Sequence, residues 1–197
     1  MKNLSKKLII VALIASSFIS FGNTKKDANN TISVVNDTKL KVVYNDVKKG
    51  HTLSLKTTNG DKIYSEAVKI DGQLVKILDL SELENGTYQI ELEKDFSILV
   101  NTIKIENNTI LFAENNDSVI FKPVVRNDNN LLLISKIAFD SKPLQVNIYF
   151  KDEMIYSETI KNEKIINKAY RLQEETKGAY RVVLYNNNRS YIHDFSF

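Results

Sequence analysis

The chain spells nearly the same heptapeptide twice, IYSEAVK at Ile63–Lys69 and IYSETIK at Ile155–Lys161. Aligned on itself at an offset of 92 residues, it matches Asp61–Leu92 to Glu153–Leu184 without a gap, and 11 of those 32 positions are identical. The identities reach well past the heptapeptide: Lys76, Leu80, Glu82, Gly86, Tyr88 and Leu92 meet Lys168, Leu172, Glu174, Gly178, Tyr180 and Leu184. A repeat on this scale decides architecture before any local propensity does, because each copy must be a unit that folds the same way. Whatever the fold, a chain must be able to build it twice in tandem.

Inside each copy the apolar residues recur with a period of two, the pattern of a strand with one buried face. In GTYQIEL, Tyr88, Ile90 and Leu92 alternate with Thr87, Gln89 and Glu91, and GAYRVVL keeps Tyr180, Val182 and Leu184 on the matching face. Further strands of the first copy are KLKVVY (39–44), HTLSLKT (51–57), LVKILDL (74–80) and SILVNTIKI (97–105). The second copy supplies VIFKPVV (119–125), LLLISKIAF (131–139), LQVNIYF (144–150), IYSETI (155–160) and SYIHDFSF (190–197). TNGD (58–61) and ENG (84–86) are turn signals, the first suited to a hairpin. No sustained helical stripe interrupts them, and strands at intervals of roughly 8–12 residues predict an all-β chain of two tandem antiparallel β-sandwiches. The expected units are residues 30–106 and 119–197, with the Asn- and Asp-rich stretch 107–118 as linker, within which TILF (109–112) is a short apolar run able to add a strand to either neighbour. In this frame IYSE is a strand after a hairpin turn, Ile63 and Ser65 on one face and Tyr64 and Glu66 on the other. That geometry calls for no chemistry at Ser65, Ser157, Glu66 or Glu158.

Residues 1–22 have the form of a secretory signal peptide. Lys2, Lys6 and Lys7 precede an uncharged run, Leu8–Phe21, that ends in Ser20-Phe21-Gly22. The run is shorter than the roughly 20 residues of a membrane span, so the sequence predicts cleavage before Asn23, export to the periplasm or the extracellular space, and no transmembrane segment thereafter. Of 27 Lys and Arg, three lie in this leader, which leaves 24 against 24 Asp and Glu, all of the latter beyond it. A formally neutral exported chain lacks the basic footprint of a nucleic-acid partner. The absence of Cys removes both a disulfide framework and a lipoprotein anchor, so stability must come from buried apolar surface.

LDLSELENGTYQIEL (78–92) and YRLQEETKGAYRVVL (170–184) share one pattern, a Leu strand, a polar loop, then Gly-x-Tyr opening the next strand. It resembles the C-terminal sorting domains of the type IX secretion system and related small exported bacterial domains, which are immunoglobulin-like β-sandwiches. The resemblance implies that fold and an exported compartment. It also implies that Gly86 and Gly178 supply the turn, and that Tyr88 and Tyr180 stand at a tyrosine corner, where the hydroxyl bonds back to nearby backbone. The opening Pro-Asn-Pro motif of sorting domains is missing, since the chain has only Pro123 and Pro143.

Few residue types here suit catalysis. The two imidazoles, His51 and His193, are not repeated between copies, and nucleophilic catalysis needs a base beside a nucleophile and an orienting group. No catalytic residue, metal site or cofactor is therefore expected. NNDS (115–118) and RNDNN (126–130) offer oxygen ligands but not the spaced acidic pattern of a calcium loop, and six Gly in all form no phosphate cradle. What remains is a non-catalytic binding or structural module whose partner is a protein or an envelope component. The alternative is a carbohydrate-binding or enzyme-associated module using Tyr44, Tyr64, Tyr149, Tyr156, Tyr185 and Tyr191 in place of the missing Trp. DSV (117–119) resembles an O-glycosylation acceptor used by these bacteria, with Ser118 as the modified residue.

Overall fold

The computed structural model describes residues 30–174 and 176–196. The expected signal segment, 1–22, lies outside the described residues. The chain divides into two compact units, whose described parts are residues 30–120 and 121–197 without Glu175 and Phe197.

In the N-terminal unit the strands are β1 (Thr31–Asn36), β2 (Lys39–Val47), β3 (Thr52–Thr57), β4 (Lys62–Ala67), β5 (Gly72–Asp79), β6 (Gly86–Glu93), β7 (Ser97–Glu106) and β8 (Thr109–Phe121). One sheet has the order β1-β2-β5 and the other β4-β3-β6-β7-β8. In the C-terminal unit they are β9 (Val124–Asp128), β10 (Leu131–Ile137), β11 (Leu144–Phe150), β12 (Glu153–Ile160), β13 (Ile165–Arg171), β14 (Ala179–Asn186) and β15 (Arg189–Ser196). The sheets there are β13-β10-β9 and β12-β11-β14-β15. Strand for strand the two units share one topology, and only β8 has no counterpart among the described residues.

Period-two alternation builds each core. Leu40, Val42 and Tyr44 of β2 and Leu78 of β5 meet Leu53 and Leu55 of β3, Tyr88, Ile90 and Leu92 of β6, and Ile103 and Ile105 of β7 in one buried cluster. Leu132, Ile134, Ile166 and Tyr170 of the smaller C-terminal sheet meet Val146, Ile148, Tyr180, Val182 and Leu184 of the larger in a second. Two sheets closing on one apolar layer are a β-sandwich. The order is immunoglobulin-like except that the fourth strand of each unit lies beside the third, not on the first sheet. In the C-terminal unit turn length accounts for this: β11 and β12 are joined by Lys151-Asp152 alone, both at positive φ (48° and 65°), a type I′ pair too short to cross between sheets.

The stretch expected to link the units is mostly strand. Asn107 and Asn108 take φ of 49° and 62°, another two-residue type I′ turn, and the chain returns as β8 along β7. Ile110 joins the N-terminal core, and its N–H donates to the Asp37 carbonyl at 2.9 Å. The stretch 119–125, read as one strand, is two: β8 ends at Phe121 and β9 begins at Val124. Pro123 stands in the break, because it has no N–H for a ladder and restricts the residue before it.

Candidate functional site

The repeated IYSE places Tyr64 and Glu66 on one side of β4, the edge strand of its sheet, facing β5, the edge of the opposite sheet. There the Glu66 carboxylate accepts hydrogen bonds from the Tyr64 hydroxyl and from Lys76 Nζ on β5. The Lys76 ammonium and then the Tyr64 hydroxyl hold the Glu66 carboxyl below its usual range. Tyr64 is raised by burial first and by Glu66 second. The C-terminal unit closes the same seam with the same Tyr-x-Glu and a different donor. Glu158 Oε2 accepts from Tyr156 on its own strand and from Tyr170 on β13, each at 3.0 Å. Lys168, which aligns with Lys76, pairs instead with Glu163 at 3.4 Å. Each carboxylate is thus a clasp between two sheets, and Ser65 and Ser157 stand on the exposed side.

Both aligned tyrosines bond back to the loop before their strand. Tyr88 Oη donates to the Glu84 carbonyl at 2.9 Å and Tyr180 Oη to the Thr176 carbonyl at 2.7 Å, four residues upstream in each case. This is tyrosine-corner geometry. The two glycines expected to make the turn differ. Gly178 sits at φ +146°, and a Cβ there would lie 3.2 Å from the Phe150 ring. Gly86 has ordinary φ, and its nearest neighbour would be the Tyr88 ring at 3.5 Å, a normal contact. Gly86 therefore does not supply a glycine-only turn. Ser118 lies exposed on β8, not in a linker.

The two histidines lie in different units. His51 is buried, and its Nδ1 accepts the Lys48 backbone N–H at 3.1 Å, which leaves the proton on Nε2, 3.5 Å from Asp95 Oδ1. His193 lies on β15 with Nε2 3.4 Å from Asn127 Oδ1 on β9. Lys136, a buried amine that the sequence did not single out, donates to the Phe121 and Ile137 carbonyls at 3.0 and 3.2 Å, and burial lowers its pKa. Of the stretches offering oxygen ligands, 126–130 is the end of β9 with the Asn129-Asn130 turn to β10, where Asn130 Nδ2 reaches the Leu172 carbonyl and Glu174 Oε1, both at 3.3 Å. Among the described residues no three His, Cys, Asp or Glu converge as a metal group would require.

Of the six tyrosines considered as a sugar platform, Tyr44 is buried, with its hydroxyl 3.1 Å from Asn101 Oδ1, and Tyr64 and Tyr156 are used in the clasps. Tyr149 and Tyr185 share the outer face of the C-terminal sheet, but Tyr149 lies opposite Arg181 and Tyr185 opposite Gln145, so they form no adjacent pair. Tyr191 alternates with the exposed positions of β15.

β15 is one of several edge strands, and it is the one whose N-terminal counterpart is covered by a further strand. Its ladder to β14 runs from Ala179↔Ser196 to Asn186↔Arg189, and among the described residues no strand pairs with its other side. In the N-terminal unit the same edge, that of β7, is taken by β8. One end of β15 borders a shallow cleft of about 480 Å³ lined by Lys151, Asp152, Tyr180, Arg181, Asp194 and Phe195. Tyr180 and Phe195 stack at 5.4 Å, and Arg181 Nε donates to Asp194 Oδ1 at 2.7 Å with Asp152 at 3.5 Å.

No protein-family model matches the chain, and no curated protein does. Among solved structures it is similar to a "Biofilm associated protein - BSP domain" at a TM-score of 0.29 and 13% identity, over 85% of this chain. The chain spans 29% of that protein's length.

Proposed function

We propose that this protein is an exported, non-catalytic module of the periplasm or cell surface that binds a protein partner by strand addition at β15. One observation carries the proposal: the edge that β8 occupies in the N-terminal unit is, among the described residues, open in its C-terminal counterpart, so the fold itself displays the added strand such an edge accepts. The polar groups that resemble catalytic ones have structural duties that support a non-catalytic role, the glutamates in clasps and His51 in a turn. A photoreactive residue at Ile192, which is 62% exposed, tests it in intact cells. The expected result is a discrete protein adduct that is not formed from Leu133, an exposed position on the opposite sheet. Identical labelling from both positions would sink the proposal. A carbohydrate partner is the second reading, favoured by the cleft where Phe195 stands beside Arg181 and Asp194. Binding on a glycan array that Arg181→Ala abolishes would establish it.

A further inference from the structure

The chemistry of β15 points to one partner, and we infer that it is a second copy of this chain, paired antiparallel through β15 with Ile192 opposite its own twin. The inference rests on the strand-addition reading. Residues facing each other in an antiparallel ladder must point to the same side, so a twofold pairing sets one residue opposite itself and its neighbours opposite in mirror order. Centred on Ile192, the pairing joins the most exposed apolar side chain of the strand to its equal. It also sets the Ser190 hydroxyl of each copy against the Asp194 carboxylate of the other, twice, on the same outer face. Tyr191 faces His193 on the inner side. Centred one residue earlier, Ile192 would face Ser190 and Arg189 would face His193. Centred one residue later, Ile192 would face the Asp194 carboxylate. Only the middle register pairs apolar with apolar and donor with acceptor throughout the outer face. Two four-stranded sheets would then become one of eight, and neither copy would retain this open edge.

Sedimentation of the purified protein over a range of concentrations tests this. The weight-average mass should rise towards twice that of the monomer. Ile192→Lys, which sets like charges face to face, should weaken association by about tenfold or more, whereas Leu133→Lys should leave it unchanged. Because the chain has no cysteine, Ile192→Cys should give a disulfide-linked dimer under mild oxidation, and Ser190→Cys should not. A monomer at every concentration without the Ile192→Cys crosslink overturns the inference, as does a dimer indifferent to Ile192→Lys. If the protein is monomeric but Ile192 labels a different protein in cells, the second copy is wrong and strand addition stands. If neither association nor labelling occurs, both fail.

Discussion

The two clasps occupy the same place in two copies of one fold and work by different physics. In the N-terminal unit a carboxylate meets an ammonium across a half-exposed seam, Glu66 and Lys76 being 35% and 36% exposed. In the C-terminal unit the carboxylate meets Tyr170, whose side chain is 1% exposed. An exposed ion pair is screened by water and salt and contributes little. A buried hydroxyl bonded to a charged acceptor contributes more, and costs most when the acceptor is removed. Duplication has therefore preserved where the acceptor sits while the donor moved two positions along the neighbouring strand, from Lys76 to the residue aligned with Leu78.

The glycines give the largest contrast by which to break this pairing of the copies. Gly178→Ala should cost the C-terminal unit roughly 2 kcal/mol, since φ +146° is a conformation nearly reserved for glycine and the new Cβ would press on Phe150. Gly86→Ala, at the aligned position, should be neutral or slightly stabilising. Denaturant unfolding of both variants checks this, and equal losses would show that the two corners are alike after all. Next in size, Glu158→Ala should cost about 1–3 kcal/mol by leaving the Tyr170 hydroxyl without its acceptor. Glu66→Ala should cost less, and 1 M NaCl should narrow the difference between wild type and Glu66→Ala but not that between wild type and Glu158→Ala.

Tyr88→Phe and Tyr180→Phe should each remove about 1 kcal/mol from its own unit, the loss of one corner hydrogen bond. Unit-resolved amide exchange reads this, and protection lost in the wrong unit would refute it. Alkali should produce the gentlest effect. Burial first, and Glu158 second, push the Tyr156 phenol from 10.0 up to about 12, and burial raises Tyr170 as well. Below the unfolded value both states hold the proton and stability is unaffected. Above it the unfolded chain ionises first, so stability falls as pH rises from about 10 towards the folded values. Thermal melts across that range should show Tyr170→Phe with a flatter decline than wild type.

Where an interaction is local, the sequence displays it. The tyrosine corners span four residues, and the alternation in β6 and β14 needs only its own strand. The seams were hidden because their donors come from another sheet, 10 and 12 residues away. β13 does not stand out in the sequence for a related reason: Lys168 occupies a half-buried place between Ile166 and Tyr170, which breaks the apolar alternation. β1 alternates poorly because nearly all of it is exposed. The asparagines of 107–118 give that stretch the composition of a linker. Two of them are instead residues that tolerate left-handed backbone, and they make a tight turn.

That turn also governs when the N-terminal unit is finished. A two-residue hairpin brings β8 beside β7 through contacts close in sequence, the kind that form in microseconds and without waiting for distant chain. If the chain emerges N-terminus first, the edge of β7 is sealed as soon as Phe121 appears, while the second copy is still to come. Two sandwiches of one topology encoded in tandem are prone to exchange strands during folding. Early sealing of β7 takes one copy's edge out of that competition before its rival exists.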